Sequence, residues 1–211
     1  MTKKWLFERG KDYYYRLSKE EGYRSRAAYK LIQASRKHKL VKEGDVVVDL
    51  GAAPGGWTQA ARMIVGEKGY VLAIDLKPIE ALPWSNVEFL EGDIINFEDL
   101  KIQKRLPRKV DVVLSDVSPN ISGIHEVDHA KQLELAEASL RIASTILRPR
   151  GNILVKAFQG NLLNDFLEDV RKIFETVKLF KPLASRRKSS EIYVLGLTFN
   201  PKSKSKPSIK V

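Results

Sequence analysis

From Val46 onward, short runs of Val, Ile and Leu alternate with longer stretches whose apolar residues recur every three or four positions. An apolar run without a polar face fits a strand covered on both sides, and a helix between two such runs brings the chain back to start the next strand in parallel. The alternation predicts an α/β domain: a mostly parallel sheet with helices on both faces. Seven strands are expected, at 46–50, 70–76, 87–92, 110–116, 152–158, 176–182 and 191–199, with helices at 57–65, 127–148 and 161–174. The period is clearest in "VDHAKQLELAEASLRIASTILR", and "RPRG" behind it supplies a proline and a glycine stop. Upstream, "SRAAYKLIQASRKHKL" reads as a helix capped by Ser25, with Ala27, Ala28, Leu31 and Ile32 on its apolar face and Lys30 off it. "LASRRKSS" is too short for a crossover helix, so the last two strands are expected to pair as an antiparallel hairpin on one edge of the sheet.

A chain of 211 residues suits one sizeable domain. It divides into a basic, aromatic extension over 1–22, a core domain over 23–200 and a Lys/Ser-rich tail over 201–211 expected to be disordered. Thirty-seven Lys and Arg against 26 Asp and Glu give a formal charge of +11, which favours a polyanionic partner over a neutral metabolite alone. The absence of cysteine excludes disulfides, thiolate catalysis and Cys-ligated metal sites, and fits a reducing cytoplasm. No segment has the length and apolarity of a signal peptide or a membrane span, so a soluble protein with no membrane partner is expected. No apolar surface stripe is left over, and a monomer is expected.

After the first strand comes "DLGAAPGGW". Gly51, Gly55 and Gly56 are spaced G-x-x-x-G-G, which is not the G-x-G-x-x-G with which dinucleotide-binding folds hold a pyrophosphate. Such a loop suits a ligand whose adenosine and amino-acid parts lie across the strand ends, as in S-adenosylmethionine. Asp75, ending the second strand, is placed to accept from both ribose hydroxyls, and Asp93, after the third, from an adenine amino group. Either acid alone could be a turn former. In register after successive strands, the three features point to a methyltransferase that uses S-adenosylmethionine.

In open α/β sheets the ligand crevice lies beyond the carboxyl ends of the parallel strands. Asp116 ends the fourth strand and Lys156 lies near the end of the fifth; Glu191 begins the last strand, which runs the other way and so starts on the same edge. Lys30 could reach over from the preceding helix. A charge inside the apolar run "NILVKAF" costs several kcal/mol if buried without a partner, so Lys156 either snorkels past the strand end or has a role.

"SRAAYKL", "DLGAAPGGW", "LSDVSPNISG", "VKAFQG" and "RRKSSEIYVLGL" together resemble the FtsJ-like (RrmJ) ribosomal RNA large-subunit ribose 2′-O-methyltransferases from about residue 20 to 200. The resemblance implies a Rossmann-like methyltransferase fold, a catalytic tetrad of Lys30, Asp116, Lys156 and Glu191, and S-adenosylmethionine contacts from Gly55, Trp57, Asp75, Asp93 and Asp116. It also implies a ribosomal RNA partner, presented in the large subunit, with a uridine as target. A ribose 2′-hydroxyl would attack the sulfonium methyl and lose its proton, with Lys156 orienting the hydroxyl or taking the proton. A lysine is a base only when neutral; Lys30 nearby works toward that form and the two carboxylates against it.

The stretch "HEVDH", residues 125–129, satisfies the zinc-protease pattern H-E-x-x-H. It lacks an evident third ligand, the remaining histidine being His38, and "SPNISGI" before it reads as a loop, which would leave the pair outside the helix; no metal is expected. Cations and rings are interleaved at Lys3, Lys4, Trp5, Phe7, Arg9, Lys11, Tyr13, Tyr14, Tyr15, Arg16, Arg24 and Arg26, as single-stranded RNA binding requires, although some of the rings are expected to dock the segment on the domain. "SRRKSS" adds charge beside Glu191. Competing readings are a nicotinamide-dependent oxidoreductase, which the loop spacing opposes, a non-catalytic RNA-binding module, which the intact tetrad opposes, and the same chemistry on transfer RNA or a messenger RNA cap.

Overall fold

All five residues of the first strand, β1 (Val46–Leu50), are buried, so its side chains feed two cores at once. Val46, Val48 and Leu50 join one apolar cluster and Val47 the other, as the two-residue period of a strand requires. The computed structural model describes residues 13–186 and 189–201. Its further strands are β2 (Tyr70–Asp75), β3 (Val87–Glu91), β4 (Val110–Ser115), β5 (Leu147–Phe158), β6 (Phe174–Phe180) and β7 (Glu191–Phe199). They form one sheet in the order β3-β2-β1-β4-β5-β7-β6. β1 to β5 run parallel, and β7 is antiparallel to both β5 and β6. The expected hairpin is therefore present, with β7 as its inner strand.

Helix α1 covers residues 13–20, followed by α2 (Ala28–His38), α3 (Gly56–Val65), α4 (His125–Ile146) and α5 (Leu163–Ile173). Leu31 and Ala34 of α2 and Trp57, Ala60 and Ala61 of α3 pack with Val47, Val71, Val112 and Leu154 on one face of the sheet. Leu140, Ala143 and Ile146 of α4 and Phe166 and Val170 of α5 pack with Val48, Leu72, Val113 and Ile153 on the other. Both faces are covered, as the apolar runs required.

Local details differ from expectation. Helix α2 begins at Ala28, behind Ala27, and no side chain caps it. Ser25 accepts the Ala28 N–H only through its main-chain oxygen, at 3.3 Å. Its hydroxyl instead faces Gly56, where a Cβ would lie 2.2 Å away, so glycine lets the start of α3 approach the entry to α2. Helix α4 ends at Ile146, and Leu147 is already extended. "RPRG" thus lies inside β5, at the register shift between Val110↔Leu147 and Val112↔Asn152, with Arg150 at φ 64°. A proline biases the preceding residue to extended backbone, so its effect falls upstream of the proline itself. β6 starts at Phe174, whose ring packs 5.6 Å from that of Phe199. Residues 1–12, 187–188 and 202–211, which include the tail beyond Pro201 and six of the N-terminal cations and rings, lie outside the described residues.

Gly51 turns the chain out of β1 at φ +72°, and a Cβ there would meet the Val117 Cα at 2.7 Å. Backbone atoms cannot move aside as a side chain can. Gly51→Ala is expected to lower the unfolding free energy by more than about 1 kcal/mol in urea titrations, combining a left-handed backbone with a backbone clash.

Candidate active site

The glycine loop is tied to the sheet by its own amides: Gly51 and Ala52 N–H donate to Ile74 O at 2.8 and 3.1 Å. Asp75, at the end of β2, accepts from Ala53 N–H at 2.9 Å through Oδ2 and from Lys77 N–H at 2.8 Å through Oδ1. Its carboxylate therefore fixes the loop opposite the strand it terminates. Gly55, at φ 109°, is the N-cap of α3, where helix geometry leaves the first N–H groups without intrahelical acceptors. Asp93 accepts from Ile95 N–H at 2.9 Å and from the Asn96 amide at 3.2 Å, which is turn-forming work. Trp57 is 3% exposed and its indole N–H donates to Ala27 O at 2.7 Å, so this ring braces α2 against α3.

Beyond the carboxyl ends of the strands, Lys30, Asp116, Lys156 and Glu191 come together. Lys156 Nζ donates to the main-chain oxygen of Asp116 at 2.7 Å and lies 3.3 Å from its Oδ1. Lys30 Nζ lies 2.6 Å from Glu191 Oε1 and 3.6 Å from Asp116 Oδ1. Both lysines are buried. Burial alone would push the Asp116 carboxyl up, but Lys156, Lys30 and the Tyr193 hydroxyl outweigh it and hold it below the usual carboxylate value. The cluster combines two cations with two carboxylates.

Tyr193, which is not among the expected site residues, stands at its centre. Lys30 donates to its hydroxyl at 2.9 Å, and the hydroxyl donates to Asp116 Oδ1 at 2.6 Å. Burial, then the charges of Asp116 and Glu191, push the phenol well above its ordinary value, so it remains a donor. The signal was in the sheet: Tyr193 lies two residues after Glu191, on the same face, and pairs across the ladder with Lys156.

Several expected site residues have other roles in the structure. His125 and His129 do lie in α4, contrary to the expected loop, with their rings stacked 6.2 Å apart. His129 Nε2 accepts from Leu162 N–H at 3.2 Å, and among the described residues no group of three or more His, Asp or Glu could hold a metal. The Arg24 guanidinium donates to the main-chain oxygens of Glu80 and Ala81 at 2.6 and 3.0 Å, so it clamps a loop. Tyr14 docks against Tyr29 with ring centroids 5.4 Å apart, whereas Tyr13 and Tyr15 are exposed. No described helix is long and apolar enough to cross a membrane.

An open sheet of this order, with a glycine loop after β1, an acid closing β2 and an inserted antiparallel last strand, defines a Rossmann-like, S-adenosylmethionine-dependent methyltransferase. The family model described as FtsJ-like methyltransferase matches residues 23–199, and the chain belongs to that family. It is 50% identical over 199 residues to a ribosomal RNA large subunit methyltransferase E of Methanococcus maripaludis, covering 94% of this chain and 77% of the relative. A protein of the same name from Methanothermobacter thermautotrophicus is 47% identical, with 97% of each chain covered. A crystal structure described as that of a ribosomal RNA methyltransferase from Plasmodium falciparum matches with a TM-score of 0.74 at 30% identity, covering 84% of this chain and 98% of the other.

Asp49, wholly buried in β1 below the loop, accepts from the Thr58 hydroxyl at 2.7 Å through Oδ2, while Oδ1 has no hydrogen-bond partner among the described residues. Burial pushes its carboxyl up to about 7; the Thr58 hydrogen bond opposes the shift, and the charges of Asp116 and Asp75 add to it. An unfolded aspartate ionises near about pH 4. Between those values the folded chain holds a proton that the unfolded chain has lost, so the Asp49 contribution to stability falls as pH rises and is constant above pH 7. The unfolding free energy of Asp49→Asn minus that of the wild type should climb between pH 4 and 7 and then level off. A difference independent of pH would contradict the assignment.

Proposed function

We propose that this protein transfers a methyl group from S-adenosylmethionine to the ribose 2′-hydroxyl of a nucleotide, a uridine, in large-subunit ribosomal RNA. The observation that carries the reading is the grip of Asp116 on Lys156, through the main-chain oxygen at 2.7 Å and the carboxylate at 3.3 Å, on the sheet edge where the glycine loop opens. The ribosomal target rests on the names of the relatives at 50% and 47% identity.

The loop fits the methyl donor. Gly51 and Gly55 have positive φ, and a Cβ on Gly55 would crowd the Arg24 side chain at 3.2 Å, so main chain rather than side chain lines this turn. Asp75 is half-buried at the mouth and can accept ribose hydroxyls, Asp93 can accept from the adenine amino group, and Gly55, Trp57 and Asp116 border the amino-acid end. With its indole committed to Ala27, Trp57 reaches the donor through its main chain at the start of α3. When bound, S-adenosylmethionine supplies an electrophilic methyl on a sulfonium.

The tetrad supplies position. The two contacts to Asp116 fix the Lys156 Nζ, whose remaining position is free to orient the hydroxyl oxygen toward the methyl. Lys30 and Tyr193 keep Asp116 aligned, and Glu191 balances Lys30. Arg26 and the exposed Arg186 share the rim beside Glu191. Burial and then the charge of Arg186 hold the Arg26 guanidinium below its ordinary value, with Glu191 opposing, and an RNA phosphate would relieve that crowding. Tyr13 and Tyr15, both more than half exposed, present ring surface on which splayed bases can stack, beside the edge contact of Tyr13 with Tyr14 and the Lys19 ammonium near the Tyr15 ring. The protein acts as a monomer, and no metal takes part in the proposed transfer.

The test is methyl-labelled S-adenosylmethionine with large-subunit RNA or particles, followed by alkaline digestion, for wild type and Lys156→Ala. A methylated 2′-hydroxyl blocks alkaline cleavage. Label is expected in resistant dinucleotides with wild type, and reduced by about 100-fold or more in the variant. Label in mononucleotides would mean methylation of a base, and transfer to transfer RNA alone would keep the chemistry and change the partner.

A further inference from the structure

β4 and β5 remain in register as far as Ser115↔Val155. The residues that follow, Asp116 and Lys156, are those whose relative position matters most to the proposed reaction, and the ladder no longer sets their separation there. One tie across this gap is the Lys156 side chain itself, at 2.7 Å from Asp116 O. The other comes from α4. Gln132 has no exposed surface, and its Nε2 donates to Val117 O at 3.2 Å and to Lys156 O at 3.0 Å. A single amide nitrogen therefore joins the main chains of both strand ends.

We propose that Gln132 is a positioning residue, which fixes the separation of the β4 and β5 ends and thereby the reach of Lys156 toward the attacking hydroxyl. The proposal rests on the functional reading above. Both acceptors are carbonyl oxygens, so the amide must turn its nitrogen toward them, and Oε1 is left buried without a donor among the described residues. An unmatched buried oxygen is unfavourable, and a leucine of similar size would avoid it. What the position gains from glutamine is the pair of hydrogen bonds. The neighbouring residues of the same helix hold the loops beyond: Asp128 accepts from Ser122 N–H at 2.7 Å, and His129 from Leu162 N–H at 3.2 Å. The "HEVDH" stretch and the helical turn after it thus tie α4 to the segments that follow β4 and β5, with Gln132 as the member next to the tetrad.

Gln132→Leu and Gln132→Glu test this beside the wild type in single-turnover methyl transfer. Gln132→Leu should keep the wild-type KM and lose kcat by about 10- to 100-fold, as a displaced reacting group does, with a melting temperature lowered by the two carbonyls left without their donor. In Gln132→Glu, an ionised carboxylate repels both carbonyls while a protonated one can donate to one of them, so its kcat relative to wild type should rise as pH falls. The ratio is read only at pH values where Gln132→Glu has the wild-type circular-dichroism spectrum and melting temperature, so that a rise reports on the hydrogen bonds and not on unfolding by a buried charge. In protein carrying 13C-labelled lysine, the Lys156 ε-methylene signal, assigned by its loss in Lys156→Arg, should move in Gln132→Leu. A wild-type kcat in Gln132→Leu, or a Lys156 signal that stays in place, overturns the proposal. If Gln132→Leu does not fold, the Gln132→Glu ratio decides, and a ratio independent of pH overturns it. Failure of wild-type protein to methylate ribose would overturn the functional reading instead, and the lysine signal would still report on Gln132.

Discussion

The contact on which the site depends is that of a buried lysine with the strand beside it. Lys156 lies in β5, within a sheet covered on both faces, and is 5% exposed. An ammonium there needs acceptors, and Asp116 supplies its main-chain oxygen at 2.7 Å and its carboxylate at 3.3 Å. Asp116 in turn takes the Tyr193 hydroxyl, which takes Lys30, which meets Glu191. The partners come from α2, the end of β4, β5 and β7, so topology must deliver them together. β7 contributes two of them because it is antiparallel: its first residues pair with the last of β5, Glu191 with Phe158 and Tyr193 with Lys156. A parallel seventh strand would have started on the far edge.

Such a cluster is a poor device for stability. Removing one member of a buried ion pair costs about 3–5 kcal/mol, whereas replacing the whole pair by apolar groups is often neutral or favourable. The cluster is better explained as preorganisation, in which fixed charges and hydrogen bonds hold one ammonium in place before any ligand arrives. Gln132 on one side and the glycine loop on the other extend the same frame, one through a side-chain amide and one through main-chain amides held by Ile74 and Asp75.

Features governed by local periodicity were legible in the sequence. Apolar runs gave all seven strands, and the short "LASRRKSS" link gave the antiparallel hairpin and, through it, the arrival of Glu191 on the edge that holds Lys156 and Asp116, where it meets Lys30. Lys156 stood out as a charge inside an apolar run. What the sequence hid depends on contacts between distant segments. Tyr193 looks like any aromatic in a strand until the register sets it opposite Lys156. Trp57 looks like part of a ligand loop until α2 brings Ala27 O to its indole. Ser25 has the chemistry of a helix cap, yet its hydroxyl faces Gly56 at the start of α3 and no side chain caps α2. "HEVDH" satisfies a metal motif, but its Asp128 and His129 side chains are committed to loop amides.

The central claim is that the four charges act as a unit on one reacting hydroxyl. A double-mutant cycle in single-turnover methyl transfer tests it most directly, using Lys30→Ala, Glu191→Ala and the two combined. If the 2.6 Å ion pair acts by holding Asp116 and Lys156 in place, each single variant disrupts the same frame, and the combination should be little slower than the slower single variant. Effects on the rate that multiply would show that Lys30 and Glu191 act independently, and would contradict the account.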